Sequence, residues 1–187
     1  MKSLKEKSLL YKIRKEKDPD AFGELYDGYV EKIYRFVSFK ISNKQEAEDL
    51  VSEIFLKAWQ YLIGEQHKSI QNFSGFIYKI ARNMIVDVYR ARAAQREIPF
   101  EGAENMPELQ TQKVAEHVLI KSDAESLLIH LQSMKQEYQE VLLLKYMEGF
   151  STAEISQILG KKKNNIRVII HRATKLLREL TGEQDLS

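Results

Sequence analysis

The stretch STAEISQILGKKKNNIRVIIHRATKLLR, Ser151–Arg178, decides how the whole chain is read. Ser151 and Glu154 stand three apart, the spacing of a capping box, in which a hydroxyl and a carboxylate each satisfy a free backbone N–H at a helix start. The spacing predicts a short helix ending at Gly160, where a residue without Cβ can take the left-handed backbone that stops a helix. A turn over Gly160 to Lys163 follows, then a longer helix with Ile166, Ile169, Ile170, Ala173, Leu177 and Leu180 inward. With that stripe buried, Arg167, Val168, His171, Arg172 and Lys175 share the opposite face. No acidic residue occurs between Lys161 and Arg178, so that face is positive. A capped helix, a tight turn and an amphipathic helix make the layout of a helix-turn-helix, whose second helix enters the DNA major groove. Arginine can pair bidentately with guanine, Val168 offers an apolar contact to a thymine methyl group, and Lys161, Lys162 and Lys163 suit the phosphate backbone. A basic helix face alone is as often merely solvated; the capped helix before it favours the DNA reading.

Outward from this segment, apolar residues recur mostly at spacings of three and four, and only eight glycines and three prolines interrupt 187 residues. The chain is therefore expected to be all-α. One helix starts with Asp18 as N-cap and Pro19 at its first position and carries Phe22, Leu25, Tyr29, Ile33 and Phe36 on a stripe. The next, capped by Ser42 or Asn43, turns Ala47, Leu50, Val51, Ile54, Phe55, Ala58 and Leu62 inward and leaves Glu46, Asp49, Glu53 and Lys57 on an acidic outer side. Gly64 ends it. Asn72 or Ser74 opens a third helix with Ile77, Ile80, Ala81, Met84 and Val88 inward and Lys79, Arg82, Asn83, Tyr89 and Arg90 outward. There Tyr78, Lys79, Tyr89, Arg90, Arg92 and Arg96 interleave rings with cations, as surfaces for single-stranded nucleic acid do, although for Tyr78 or Phe76 taken alone a place in the core is the favoured reading. Pro99, Gly102 and Pro107 lie among glutamates in EIPFEGAENMPELQTQ, the composition of an exposed acidic linker. Beyond it KVAEHVLIKSDAESLLIHLQSM and QEYQEVLLLKYM read as helices. The expected organisation is two small helical domains, residues 1–96 and 122–187, joined by a linker over 97–121.

Composition narrows the chemistry. The formal charge is only +2, so a basic surface must come from local segregation of charge. There is no cysteine, which removes disulfides, thiolate metal sites and cysteine nucleophiles together. His67, His117, His130 and His171 are scattered, and Gly160-Lys161-Lys162 lacks both the earlier glycine and the following Ser/Thr of a phosphate loop. No metal, no cofactor and no catalytic constellation is expected; the chain does not read as an enzyme. Lysines and glutamates break every short apolar cluster of MKSLKEKSLLYKIRKEK, which fits neither a signal peptide nor a membrane anchor. A cytoplasmic protein is expected.

Two blocks carry a family resemblance. AEDLVSEIFLKAW, Ala47–Trp59, followed by FSGFIYKIARNMIVDVYR, Phe73–Arg90, resembles the second region of extracytoplasmic-function sigma factors of bacterial RNA polymerase, and Tyr138–Leu180 is similar to their fourth. The resemblance covers nearly all of residues 22–180 except the linker. It implies a transcription initiation factor that binds core RNA polymerase and directs it to promoters. Asp49, Leu50, Glu53 and Phe55 match the motif that docks on the clamp coiled coil of the polymerase largest subunit, with Ser52 where the family usually has glutamine and Glu46 on the same acidic side. The loop Ile63–Asn72, with Gln66, His67, Lys68 and Asn72, matches the one that captures a flipped base of the non-template strand in the minus-ten element. Lys79, Arg82, Asn83 and Arg90, with Tyr78 beside them, match positions near that element. Arg167, Val168 and Arg172 match positions that read the minus-thirty-five element, with Asn165, His171 and Lys175 adjoining. Lys163-Asn164-Asn165-Ile166 departs from the family's small residue followed by Gly-Thr-Val, though asparagine can still cap a helix. An anti-sigma partner is also implied. Two other readings are a free-standing helix-turn-helix regulator that binds duplex DNA without polymerase, and a helical interaction protein whose DNA faces have decayed.

Overall fold

The computed structural model describes residues 2–64, 70, 72–95 and 123–182. Regular structure among them is entirely helical: α1 (Lys2–Glu16), α2 (Pro19–Ser38), α3 (Lys44–Ile63), α4 (Phe73–Gln95), α5 (Asp123–Ser133), α6 (Gln136–Leu142), α7 (Thr152–Leu159) and α8 (Lys163–Thr181), with a π-helical turn over Leu143–Met147 continuing α6. The chain divides into two compact units, Met1–Val88 and Tyr89–Ser187, a division that falls inside α4. The expected linker, residues 97–121, lies outside the described residues, as does the KVAEHVLIK part of the helix expected before Asp123.

In the first unit local signals set the helix starts. Asp18 caps α2 by accepting the N–H groups of Asp20 and Ala21, with Pro19 at the first position, and Asn43 caps α3 by accepting the N–H of Glu46 at 3.0 Å. The predicted inner stripe of α3, Ala47, Leu50, Val51, Ile54, Phe55, Ala58 and Leu62, is buried throughout. Rings interlock around it: Phe22 with Trp59 at 5.1 Å, Tyr26 with Phe55 at 4.7 Å, Tyr29 with Phe73 at 5.2 Å. Such edge and tilted pairs add roughly 0.5–1.5 kcal/mol each to the burial of apolar area.

α1 was absent from the sequence expectation, which opened the fold at Asp18. It packs on α2 and α3 and buries Leu9, Leu10 and Ile13. Its Glu6 ties three helices together. One carboxylate oxygen accepts the Tyr29 hydroxyl of α2 at 2.8 Å, and the other accepts the Phe73 N–H at 2.9 Å, at the first residue of α4. Asn72 accepts the Gly75 N–H at 3.2 Å, so two of the otherwise open N–H groups of that helix start are satisfied by side chains.

In the second unit the capping box is present as predicted: the Ser151 N–H donates to the Glu154 carboxylate at 2.8 Å and the Glu154 N–H to the Ser151 hydroxyl at 3.3 Å. Gly160 ends α7 at φ 67, a left-handed backbone that any side chain would strain. Ile155, Ile158 and Leu159 of α7 and Ile166 and Ala173 of α8 are buried with Val141–Leu144 and Phe150. α8 packs on α5, α6 and α7. The π turn inserts one residue per turn relative to an α-helix, and the chain reverses after it at Gly149, φ 72.

Candidate nucleic-acid interface

On α8, Arg167, Val168, His171, Arg172 and Lys175 are all exposed while Ile166 and Ala173 are buried, so the outward face is the one the spacing predicted. Val168 is 48% exposed, an apolar side chain held in solvent between cations. Leu180, expected inward, is 38% exposed near the end of the helix. Three details of the turn differ from expectation. Lys163 is already the first helical residue, and Lys162 occupies the N-cap without a side-chain bond. Asn164 and Asn165 therefore lie in the first turn, exposed, and cap nothing. Lys161 is not a free phosphate anchor: its ammonium lies 2.8 Å from the Glu137 carboxylate, with 21% of its side chain exposed, and pins the turn to α6.

The face continues beyond α8. An open groove of about 730 Å³ joins Arg167, His171, Lys175 and Arg178 to Lys145 and Tyr146 of the π turn. The Tyr146 hydroxyl lies 3.4 Å from the Thr174 hydroxyl. Sequence reasoning missed Lys145 and Tyr146 because it treated QEYQEVLLLKYM as one regular helix, whose phase the π turn shifts. The surface pair of Lys175 with Glu179, 4.0 Å and exposed, is worth at most about 0.5 kcal/mol and leaves the lysine available.

On α4, Lys79 and Asn83 are exposed one turn apart, Arg82 is half-buried beside them, and Arg90 is exposed further along the same helix. The tyrosines are corrected. Tyr78 is 0% exposed, its ring 5.3 Å from that of Phe36, and Tyr89 is buried too, so neither offers a face to a base. Asn72 is half-buried with its side-chain oxygen on the cap of α4. Gln66, His67, Lys68 and Arg96 lie outside the described residues. At the same end of the unit, burial and then the Glu6 hydrogen bond push the Tyr29 hydroxyl pKa well above its ordinary value.

On α3 the expected docking set splits by burial. Asp49, Ser52 and Glu53 are exposed and Glu46 is half-buried, whereas Leu50 and Phe55 are buried in the core. The family motif implies contact for both, while the helical spacing turns them inward; the Phe55 ring packs on Phe22 and Tyr26 of α2. The apolar residue on the outer face is Leu56, 55% exposed, at i+7 from Asp49 and i+4 from Ser52. Among the described residues there is no group of side chains fit to hold a metal ion, and no helix is long and apolar enough to cross a membrane.

Comparison with known proteins accounts for both units. The family described as "Sigma-70 region 2" matches residues 25–95, and "Sigma-70, region 4" matches residues 130–177. The extracytoplasmic-function (ECF) RNA polymerase sigma factor SigW of Bacillus subtilis is 30% identical over 173 residues, 88% of this chain and 91% of SigW. BldN of Streptomyces coelicolor, another ECF sigma factor, is 29% identical over 164 residues, which span 87% of this chain but 61% of BldN. The solved structure of the sigma factor RpoE in complex with the anti-sigma factor NepR, from Bartonella quintana, shares the fold with a TM-score of 0.66 at 21% identity, covering 88% of this chain and 98% of that one.

The chain belongs to the ECF sigma factors of bacterial RNA polymerase. It is a promoter-specificity factor, and the match to region 2 beside region 4 sets aside a free-standing helix-turn-helix regulator.

Proposed function

We propose that α8 reads the minus-thirty-five element with Arg167, Val168 and Arg172, flanked by His171, Lys175 and, from the π turn, Lys145 and Tyr146. Lys162 and Lys163 meet phosphates, which position without specifying. The segment Ile63–Asn72 captures an unpaired base of the minus-ten element, and Lys79, Arg82, Asn83 and Arg90 follow the strand there. Flipping costs a few kcal/mol of unstacking, which the capturing contacts must offset. The outer face of α3, with Asp49, Ser52, Glu53 and Leu56, docks on the clamp coiled coil of the polymerase largest subunit. Acidic and apolar groups at helical spacing suit a helix partner. No bond is made or broken by this chain; it acts in the cytoplasm by placing the polymerase. Because RpoE is held by an anti-sigma factor in its solved complex, we extend the same kind of partner to this chain. The domain limits 1–96, 97–121 and 122–187 belong to this reading.

One observation carries the proposal: every side chain on the predicted reading face of α8 is exposed, on a helix fixed by a capped neighbour and a buried stripe. Its test is a pair of substitutions measured in promoter binding by reconstituted holoenzyme. Arg167→Ala should cost about 1–3 kcal/mol and relax preference at one base position, while Lys162→Ala should weaken all sequences alike and lower the salt slope by about one. Equal effects from both would contradict the division between reading and anchoring.

A further inference from the structure

The turn before α8 is held by polar contacts from two other helices. The Lys161 N–H donates to the Ser156 carbonyl at 3.1 Å, the Lys161 carbonyl accepts the Ser156 hydroxyl of α7, and the Lys161 ammonium pairs with Glu137 of α6. Ile166 is buried completely just beyond. The first turn of α8 is therefore fixed before any DNA arrives.

On that turn Asn164 and Asn165 stand exposed, and Lys162 holds the N-cap without a side-chain bond. The Asn164 carboxamide has no partner among the described residues. Asparagine is a poor helix former that helices accept chiefly as a cap, so neither the helix nor a cap accounts for Asn164. Helical phase separates the two residues. Each step turns about 100° round the axis. With Ile166 and Ala173 at the buried centre, Asn164 falls in the middle of the outward face, in line with Val168, His171 and Lys175 at i+4, i+7 and i+11. Asn165 falls on the flank. Asn164 also stands at the N-terminal end of that line, the part of a recognition helix that meets base edges.

We propose that Asn164 reads an adenine of the minus-thirty-five element, its carboxamide oxygen accepting from the N6 amino group and its nitrogen donating to N7. The contact rests on the reading of α8 given above and adds a specificity-determining residue to it. Adenine presents a donor and an acceptor side by side, which an amide matches and an ammonium or guanidinium does not. Four residues of rise place Asn164 about 6 Å from Val168 along the axis, less than two base-pair steps of about 3.4 Å. The adenine therefore lies within about two base pairs of the contact made by Val168. A phosphate contact is disfavoured, because the middle of the face looks into the groove and the exposed Lys162 and Lys163 of the same turn already supply charge to the backbone.

The test starts from a promoter recovered in run-off transcription, randomised through its upstream element, and sequences the fragments bound by reconstituted holoenzyme. Unaltered protein should enrich adenine at one position, and Asn164→Ala should lose that preference by at least about fivefold while the other positions keep theirs. Asn164→Asp keeps the size and removes the amide donor. It should lose adenine and favour cytosine at that position, whose N4 amino group a carboxylate accepts. A carboxylate in the first turn favours the helix, so urea unfolding of this variant should show stability no lower than that of the unaltered protein. Asn165→Ala should keep the adenine. Three results overturn the proposal: an Asn164→Ala profile identical to that of the unaltered protein, equal weakening on all sequences, or the same loss from Asn165→Ala. Arg167→Ala/Arg172→Ala separates this contact from the underlying reading. A profile that survives this double variant as well sinks the reading of α8, whereas one altered by it and not by Asn164→Ala sinks the adenine contact alone.

Discussion

At the scale of the residue, Glu6 and Lys161 matter most, since each joins elements far apart in sequence. Removing the Glu6 carboxylate leaves the Phe73 N–H and the part-buried Tyr29 hydroxyl without their acceptor, so Glu6→Ala should lower stability by about 1–3 kcal/mol in urea unfolding. Tyr29 gives this contact a pH signature. Its folded pKa is raised above the ordinary 10.0, by burial first and Glu6 second. Folded protein therefore keeps a proton that unfolded protein releases, and stability is fully present below pH 10 and falls as pH rises beyond it. Alkaline unfolding compared between wild type and Tyr29→Phe should show a shallower fall in the variant. Lys161 yields a second contrast: paired to Glu137, it should leave the salt slope of DNA binding unchanged when replaced by alanine, whereas Lys162→Ala lowers it. These assignments were not legible in the sequence. Side-chain type put Lys161 with its neighbours and Tyr78 beside the base-stacking rings, and the family motif put Leu50 and Phe55 in the docking set although their spacing turned them inward; burial and a tertiary ion pair decided each case.

Among the elements, helix starts and stops were the most readable features, because caps are local chemistry. Asp18-Pro19, Asn43 and the Ser151–Glu154 box each sit where their side-chain geometry requires. Gly160→Ala meets no steric obstacle, with nothing within 4 Å of an added Cβ, but must hold φ 67. It should cost about 1–2 kcal/mol from backbone strain alone, and Ser151→Ala about 1 kcal/mol. Both are measurable as faster hydrogen exchange in α7 and α8. α1 escaped the sequence reading because its apolar positions are few and crowded by lysines, so burial against α2 and α3, not a local signal, fixes it. The π turn escaped because a regular period was assumed through Leu143–Met147. On α3 the phase separates two outcomes. Leu50→Ala should destabilise the fold by roughly 2–5 kcal/mol, while Leu56→Glu should leave stability nearly unchanged and weaken binding to core polymerase at least about tenfold by titration of labelled protein.

For the whole molecule, a formal charge of +2 conceals strong segregation: a basic face on α8, an acidic outer face on α3. The all-α class, the helix-turn-helix and the family were legible, since they rest on spacing and on motif blocks in order. The burial of Tyr78 and Tyr89 and the pairing of Lys161 were not, because these depend on packing between helices. The central claim is that this chain gives core RNA polymerase its promoter. The most direct measurement is run-off transcription by core enzyme on a genomic fragment library, with and without the chain. The account predicts discrete transcripts that require the chain and disappear with Leu56→Glu or Arg167→Ala/Arg172→Ala. Transcription indistinguishable from that of core enzyme alone would contradict it.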